Sequence, residues 1–271
     1  MNQLKDIYPA GEASSILYMV FEEMASIPRE EIIRDGSNNL EDDKAKKLKA
    51  ALSELATGKP VQYVIGHAWF CGMKFKVNEN VLIPRPETEE LVEHVIKMQP
   101  SPRKILDIGT GSGCIPIAIK KNLSGAEVHS MDISIGALEL AKENAQMNGV
   151  EIKFIHDDIL KAIPHKESYD VIVSNPPYIP VSEKEKLHKN VTEFEPHLAL
   201  FVEDNDPLIF YKKIAKYASE ALTPGGKLLV EIHQELSDGV VNIFMENGFA
   251  AEVMNDQFGN ARFVIGTPFK K

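Results

Sequence analysis

Two groups of residues in this chain have the types and spacing that chemistry needs. The first is Asn175-Pro176-Pro177-Tyr178, which directly follows the apolar run Tyr169-Asp170-Val171-Ile172-Val173-Ser174. β-Branched residues closed by two prolines predict a buried strand that stops abruptly, because proline lacks the ladder N–H and fixes its own φ. Ligands of open parallel α/β sheets bind at the carboxyl ends of strands, so an amide, two rigid rings and an aromatic at that place make a small polar clamp. The plainer reading of the same four residues is a proline-rich turn with Tyr178 packed for its area.

The second group is Asp107-Ile108-Gly109-Thr110-Gly111-Ser112-Gly113, which joins a predicted strand to a predicted helix. Glycines let the backbone approach a ligand closely, and a helix start offers free N–H groups. The spacing excludes two common nucleotide loops. A dinucleotide fingerprint places its third glycine where this chain has Cys114, and no Lys-Ser or Lys-Thr follows to make a phosphate-binding loop. Further acids mark the next strand ends. Asp132 is placed to accept ribose hydroxyls, and Asp157 or Asp158 to face an adenine amine, with Asp158 preferred; together they describe an adenosine site. Helix capping is the competing role for Asp132, just ahead of Ser134-Ile135-Gly136.

The elements that must position these groups follow from periodicity. Ile16, Leu17, Val20, Phe21 and Met24, and again Leu48, Ala51, Leu52 and Leu55, recur at helical spacing, so residues 1–58 read as a small helical bundle. The charged run from Glu41 to Lys47 is a solvated helix start. Gly58-Lys59-Pro60 breaks that pattern, and Val61 to Leu82 reads as short β-like runs, giving a hairpin linker over 59–84 in which Trp69 packs. From residue 85 a helix opens at Pro86 or Thr88, and after Pro100-Ser101-Pro102 strands and helices alternate. Strands are expected at 104–108, 127–131, 152–155, 169–174, 227–232, 249–254 and 262–265. That order predicts an α/β domain over 85–271: a Rossmann-like, doubly wound, mostly parallel seven-stranded sheet with an antiparallel edge hairpin.

Composition limits the function classes. Forty acidic against thirty basic residues give a net charge of −10, which disfavours a nucleic-acid backbone as partner. No apolar run is long enough to span a membrane, and acids and Lys5 within Met1 to Ala25 argue against a signal peptide. Cys71 and Cys114 lie far apart in no metal or redox spacing, so a reducing cytoplasm and no metal site are expected.

The order of glycine loop, second-strand acid, third-strand acid and Asn-Pro-Pro-Tyr after the fourth strand resembles the class I S-adenosylmethionine-dependent methyltransferases that modify amide or exocyclic amine nitrogens. Upstream, Pro60-Val61-Gln62-Tyr63-Val64-Ile65-Gly66, Phe70, Gly72 and the stretch from Val81 to Glu89 resemble the linker of the peptide chain release factor glutamine methyltransferases, the HemK/PrmC family. The likeness covers nearly the whole chain. It implies that Gly109, Thr110, Gly111, Ser112, Gly113, Asp132 and Asp158 hold S-adenosylmethionine, with Ile159 packing on the adenine. It also implies that Asn175, Pro176, Pro177 and Tyr178 hold the glutamine of a release factor's Gly-Gly-Gln loop, and that a monomer grips the release factor through its N-terminal bundle. Arg85 falls within the resemblance as a substrate contact or a helix-start residue, whereas His233 lies where the chain departs from the family's Gly-containing turn and reads as a structural or surface residue rather than a catalyst. An adenine-amine methyltransferase acting on DNA or RNA is the rival, because the same clamp can hold an exocyclic amine. Residues 1–80 carry ten Lys/Arg against twelve Asp/Glu, which offers a nucleic acid no positive surface.

Overall fold

A computed structural model of the chain describes residues 4, 7–34, 40–164 and 168–269. In chain order the elements are α1 (Ala10–Ala25), α2 (Arg29–Arg34), α3 (Asp42–Leu55), α4 (Val61–Ile65), β1 (His67–Phe70), β2 (Met73–Lys76), α5 (Glu87–Ile96), β3 (Lys104–Ile108), α6 (Cys114–Asn122), β4 (Glu127–Asp132) and α7 (Ile135–Met147). They continue with β5 (Lys153–His156), β6 (Tyr169–Ser174), β7 (Ile179–Pro180), α8 (Lys189–Phe194), α9 (His197–Leu200), β8 (Phe201–Val202), α10 (Ile209–Ala221), β9 (Leu222–Glu231), α11 (Ser237–Glu246), β10 (Phe249–Asn255) and β11 (Ala261–Pro268). Two compact units result: Met1–His67 with Leu187–Phe194, and Ala68–Lys186 with Glu195–Lys271.

The smaller unit is helical. Ile16 and Val20 of α1 bury one stripe against Leu48, Ala51 and Leu55 of α3, all helical-period residues that the sequence marks, and Ala13 joins them. Burying each large aliphatic side chain contributes roughly 1.5–3 kcal/mol, and this stripe is what holds a short bundle together. One expectation is corrected here. Val61–Ile65, expected to be β-like, forms α4, with Pro60 before its first turn and Gly66 closing it at φ 79°. Val61 and Tyr63 are buried, and the proline ahead and glycine behind supply both stop signals, which outweigh the β propensity of three aliphatic residues.

The larger unit is built on a seven-stranded sheet in the order β10-β11-β9-β6-β3-β4-β5. The five strands from β9 to β5 run parallel, and β11 and β10 close one edge antiparallel. Helices cover both faces. Tyr211, Ile214 and Ala218 of α10 and Val240 and Phe244 of α11 pack one face, while Leu91 and Val95 of α5 and Ile117 and Ile119 of α6 pack the other. β1 and β2 pair as a separate two-stranded sheet. Trp69, expected to pack within that hairpin, is instead 63% exposed, because it faces outward where its neighbours Ala68 and Phe70 face in.

Register places the chemistry. Ile108 at the end of β3 pairs with Ser174 at the end of β6, and Ser174 pairs with Val230 of β9. Gly109, Asn175 and Glu231, each one residue further on, therefore emerge side by side at the carboxyl edge. The chain runs from β3 to β4 and β5 on one side and returns to β6 on the other, so this is the topological switch point where such sheets bind ligands.

Candidate active site

The glycine loop is held to its strand before any ligand arrives. The Gly109 and Thr110 amides both donate to the Met131 carbonyl at 2.8 and 3.1 Å, and the Gly111 amide donates to Asp132 Oδ2 at 2.9 Å. Gly113 caps α6 at φ 81°, a conformation that favours glycine, and a Cβ there would stand 3.0 Å from Ile117 and 3.1 Å from Ala141. Its role in the structure is to let the loop turn tightly into the helix. Asn144 of α7, fully buried, donates to the Ser112 carbonyl at 2.8 Å and to the Lys76 carbonyl at 3.0 Å, while its Oδ1 accepts from the Lys76 amide at 2.7 Å. One side chain thus ties β2, α7 and the loop together.

Asp132 does not cap α7; Ser134 does, its Oγ accepting from the Ala137 amide at 3.2 Å. Asp132 instead spends Oδ1 on the Ser134 amide at 2.8 Å and Oδ2 on Gly111, and the residue lines the cavity. Burial pushes its proton affinity up, against the pull of those backbone N–H groups. Asp158 accepts from the Leu160 amide at 2.9 Å, and Asp157 Oδ1 accepts from the Asp158 amide at 2.8 Å.

These residues line a cavity of about 300 Å³. Gly109, Thr110, Gly111, Ser112, Asp132, Asp158 and Ile159 line it together with Asn175, Pro176 and Pro177, and Asp157 and Arg85 are also in the lining. Gly113 and Tyr178 stand outside it. Tyr178 packs against the core beneath α10, and its hydroxyl lies 3.5 Å from Glu231 Oε1. Arg85 pairs with Glu195 at 2.5 Å, and Glu195 also accepts the Ile83 amide at 3.1 Å. His233 caps a short 3₁₀ turn by accepting the Glu235 amide at 3.4 Å, the structural role expected of it.

Three further polar residues belong to the site: Asp107 heads the glycine motif, Thr88 is marked in sequence only as a helix start, and no motif marks Glu231. Asp107 is fully buried beneath the loop, its Oδ2 accepting from Ser130 at 2.6 Å and Thr110 at 3.2 Å while Oδ1 has no partner. Burial pushes its carboxyl up to about 7, and the nearby Asp132 adds to the rise. Glu231 is also buried, and burial raises it to about 7 although Thr88 and Arg262 pull it down. Thr88 Oγ1 donates to Glu231 Oε2 at 2.7 Å and accepts from Asn175 Nδ2 at 3.1 Å. Asn175 is thereby left with its carbonyl oxygen as the acceptor it offers. Only the polar character of Thr88 in the first turn of an apolar helix stripe and of Glu231 at the end of an aliphatic strand hints at them in sequence.

The lining fits a nucleoside-bearing cofactor: a buried Asp107 carboxylate oxygen without a partner lies at the glycine loop, and the acids Asp132, Asp157 and Asp158 share the lining with apolar residues and one cation, Arg85. No group of three or more His, Cys, Asp or Glu side chains able to hold a metal occurs among the described residues, and none of the described helices is long and apolar enough to cross a membrane.

Comparison with known proteins agrees with this geometry. Residues 86–194 match the methyltransferase small domain family, and residues 2–66 match the PrmC N-terminal domain family. A release factor glutamine methyltransferase of Flavobacterium psychrophilum is 43% identical over 96% of this chain and 94% of its own length. One from Bacteroides thetaiotaomicron is 41% identical over 96% of this chain and 95% of its own. Among solved structures, a methyltransferase from Pyrococcus furiosus superposes with a TM-score of 0.55 at 18% identity, covering 81% of this chain and 96% of that one, and shares the fold.

Proposed function

The chain belongs to the release factor glutamine methyltransferase family, and from that premise we propose that it methylates the side-chain amide nitrogen of the glutamine in the Gly-Gly-Gln loop of peptide chain release factors, using S-adenosylmethionine. The observation that carries this reading is a single cavity lined both by the glycine loop with its strand-end acids and by Asn175-Pro176-Pro177. An adenine-amine acceptor is not favoured. The relatives that align over nearly the whole chain bear release-factor names, and the acidic charge balance offers no track for a nucleic-acid strand.

When bound, S-adenosylmethionine supplies an electrophilic methyl group on a positively charged sulfur. In this reading Gly109 to Gly113 bring backbone close to it, Asp132 takes the ribose hydroxyls, Asp158 the adenine amine, and Ile159 packs the base. An amide nitrogen is a poor nucleophile because its lone pair is delocalised into the carbonyl, so placement has to do much of the work. Asn175 Oδ1 and the Pro176 carbonyl accept the two N–H bonds of the glutamine amide and hold the nitrogen in line with the methyl carbon. Pro177 stiffens the turn. Tyr178, packed below the lining, supports it from the core. As the nitrogen gains the methyl carbon, the bond from that carbon to sulfur would break with its electron pair left on the sulfur, and the nitrogen releases one proton to water, so no general base is assigned. The N-terminal unit grips the release factor away from its reacting loop, the enzyme works as a monomer in the cytoplasm where release factors act, and it touches no nucleic acid directly.

Radiolabel transfer from S-adenosylmethionine to a purified release factor tests the assignment. Asn175→Ala loses at least about 100-fold in turnover while cofactor affinity stays within about threefold, since the substitution removes a contact that only the acceptor uses. Turnover that survives the substitution, or label on a release factor whose Gly-Gly-Gln glutamine has been replaced, refutes it.

A further inference from the structure

We propose that Thr88 and Glu231 are positioning residues for methyl transfer: as a hydrogen-bond relay they fix which end of the Asn175 amide faces the acceptor. The proposal rests on the reading above that Asn175 holds that acceptor. A primary amide is nearly the same shape after a half-turn about its last bond, but the turn exchanges an acceptor for two donors. A glutamine NH₂ needs an oxygen opposite it, so an Asn175 turned the wrong way repels the group it is meant to hold. Something must choose.

The choice is made by counting protons. Thr88 Oγ1 stands 3.1 Å from Asn175 Nδ2 and 2.7 Å from Glu231 Oε2, and its hydroxyl carries one proton. An ionised carboxylate only accepts, so that proton goes to Glu231 and the hydroxyl offers its lone pair to Asn175. Asn175 then gives its NH₂ to Thr88 and turns Oδ1 to the cavity. If Glu231 takes up a proton on Oε2, the carboxyl donates to Thr88, the hydroxyl proton swings to Asn175, and the amide presents NH₂ to the substrate. Register supports the reading: Val230 of β9 pairs with Ser174 of β6, so Glu231 and Asn175 leave neighbouring strands together, and Thr88 bridges them from the first turn of α5.

The surroundings of Glu231 are defined on every side. α5 contributes Thr88 and the acid Glu87, the segment after β6 the Tyr178 hydroxyl, and β11 the cation Arg262, itself paired with Asp256. α10 contributes Tyr211, whose hydroxyl donates to the Glu231 backbone carbonyl at 3.1 Å. Burial outweighs the pull of Thr88 and Arg262, and the carboxyl titrates at about 7. A glutamine at this position can both donate and accept; only the ionised acid enforces one direction.

A structural tether between α5 and β9 predicts different kinetics from a relay, and four variants separate them. Turnover of a release factor, KM for it, and calorimetric affinity for S-adenosylmethionine are measured from about pH 6 to pH 8 for the parent and for Asn175→Ala, Thr88→Val, Thr88→Ser and Glu231→Gln. In Thr88→Val kcat falls about 10- to 100-fold, the worth of one oriented buried hydrogen bond, with cofactor affinity within about threefold. Thr88→Ser, which keeps the hydroxyl, recovers to within about threefold of the parent. The ratio of parent to Glu231→Gln turnover falls about tenfold from pH 8 to pH 6, as a group of pKa about 7 loses its charge. Asp107 titrates in the same range but is present in both proteins, so the ratio reports Glu231. Parental kcat in Thr88→Val, or a ratio that stays constant with pH, overturns the relay; the ratio decides if Thr88→Val fails to fold. Should Asn175→Ala also keep its turnover, the site assignment itself has failed, whereas an inactive Asn175→Ala beside a fully active Thr88→Val removes the relay alone.

Discussion

Glu231 is expected to lower the stability of the protein at neutral pH, and Glu231→Gln to restore it. The folded chain holds the Glu231 proton up to about pH 7, whereas an exposed glutamate in the unfolded chain releases it near 4.5. Between those values the folded state binds more protons than the unfolded state, so the contribution of this group is complete below 4.5 and is lost as pH rises through 7. Relative to a group that titrates normally, holding this carboxyl in its buried place costs about 3 kcal/mol at pH 8, where it is ionised, and about 1 kcal/mol at pH 5.5, where it keeps its proton. The amide that replaces it has no such term, and either its oxygen or its NH₂ can meet Thr88. Urea denaturation of parent and variant, followed by far-ultraviolet circular dichroism in the absence of cofactor, yields the difference in unfolding free energy at each pH. That difference should shift in favour of Glu231→Gln by about 2 kcal/mol between pH 5.5 and pH 8, while turnover at pH 8 falls. Asp107 and His129 also titrate, but they are common to both proteins and cancel. A difference that does not change with pH means that Glu231 has an ordinary proton affinity, and the argument from its burial is wrong.

Gly113→Ala forces an alanine into a φ of 81° with its Cβ 3.0 Å from Ile117 and 3.1 Å from Ala141. Strain and overpacking together should lower the unfolding free energy by about 2–4 kcal/mol, read as a lower urea midpoint at unchanged slope, and a loss below about 0.5 kcal/mol refutes the packing argument. Asp132→Ala removes the acceptor of both the Gly111 and Ser134 amides together with the proposed ribose contact. Affinity for S-adenosylmethionine measured by calorimetry should weaken about 10- to 100-fold, and an unchanged Kd removes Asp132 from the cofactor site.

Much of the fold is written locally. The β-branched run before Asn175, the aliphatic stripes of α1 and α3 and the strand–helix alternation after residue 104 each act over fewer than ten residues or so, the range over which periodicity carries information. Val61–Ile65 was harder to read because three aliphatic residues suit a strand as well as a helix, and only the flanking Pro60 and Gly66 decide. The glycine loop and Asn175-Pro176-Pro177 are legible because backbone constraint leaves a mark in residue type. Thr88 and Glu231 leave only a polar residue in an apolar setting: they meet across 143 positions of chain, and each alone is an ordinary threonine or glutamate. Asp107 stands at the head of the glycine motif in the sequence, but its orphaned oxygen is a property of packing by Ser130 and Thr110, which no spacing encodes.

Asn144 has a consequence for the heat of ligand binding. Its amide spends its oxygen and its NH₂ on backbone groups, two carbonyls and one N–H, and so clamps the Ser112 peptide in one orientation. The loop is ordered when the protein folds, so little chain disorder is left to be removed when a nucleoside arrives. Association then carries a small entropic penalty and a modest heat-capacity change confined to the surfaces that meet. The β1–β2 hairpin, through the Lys76 backbone, becomes a remote calibrator of that ordering, and loosening it would appear first in the entropy of cofactor binding and only afterwards in its affinity.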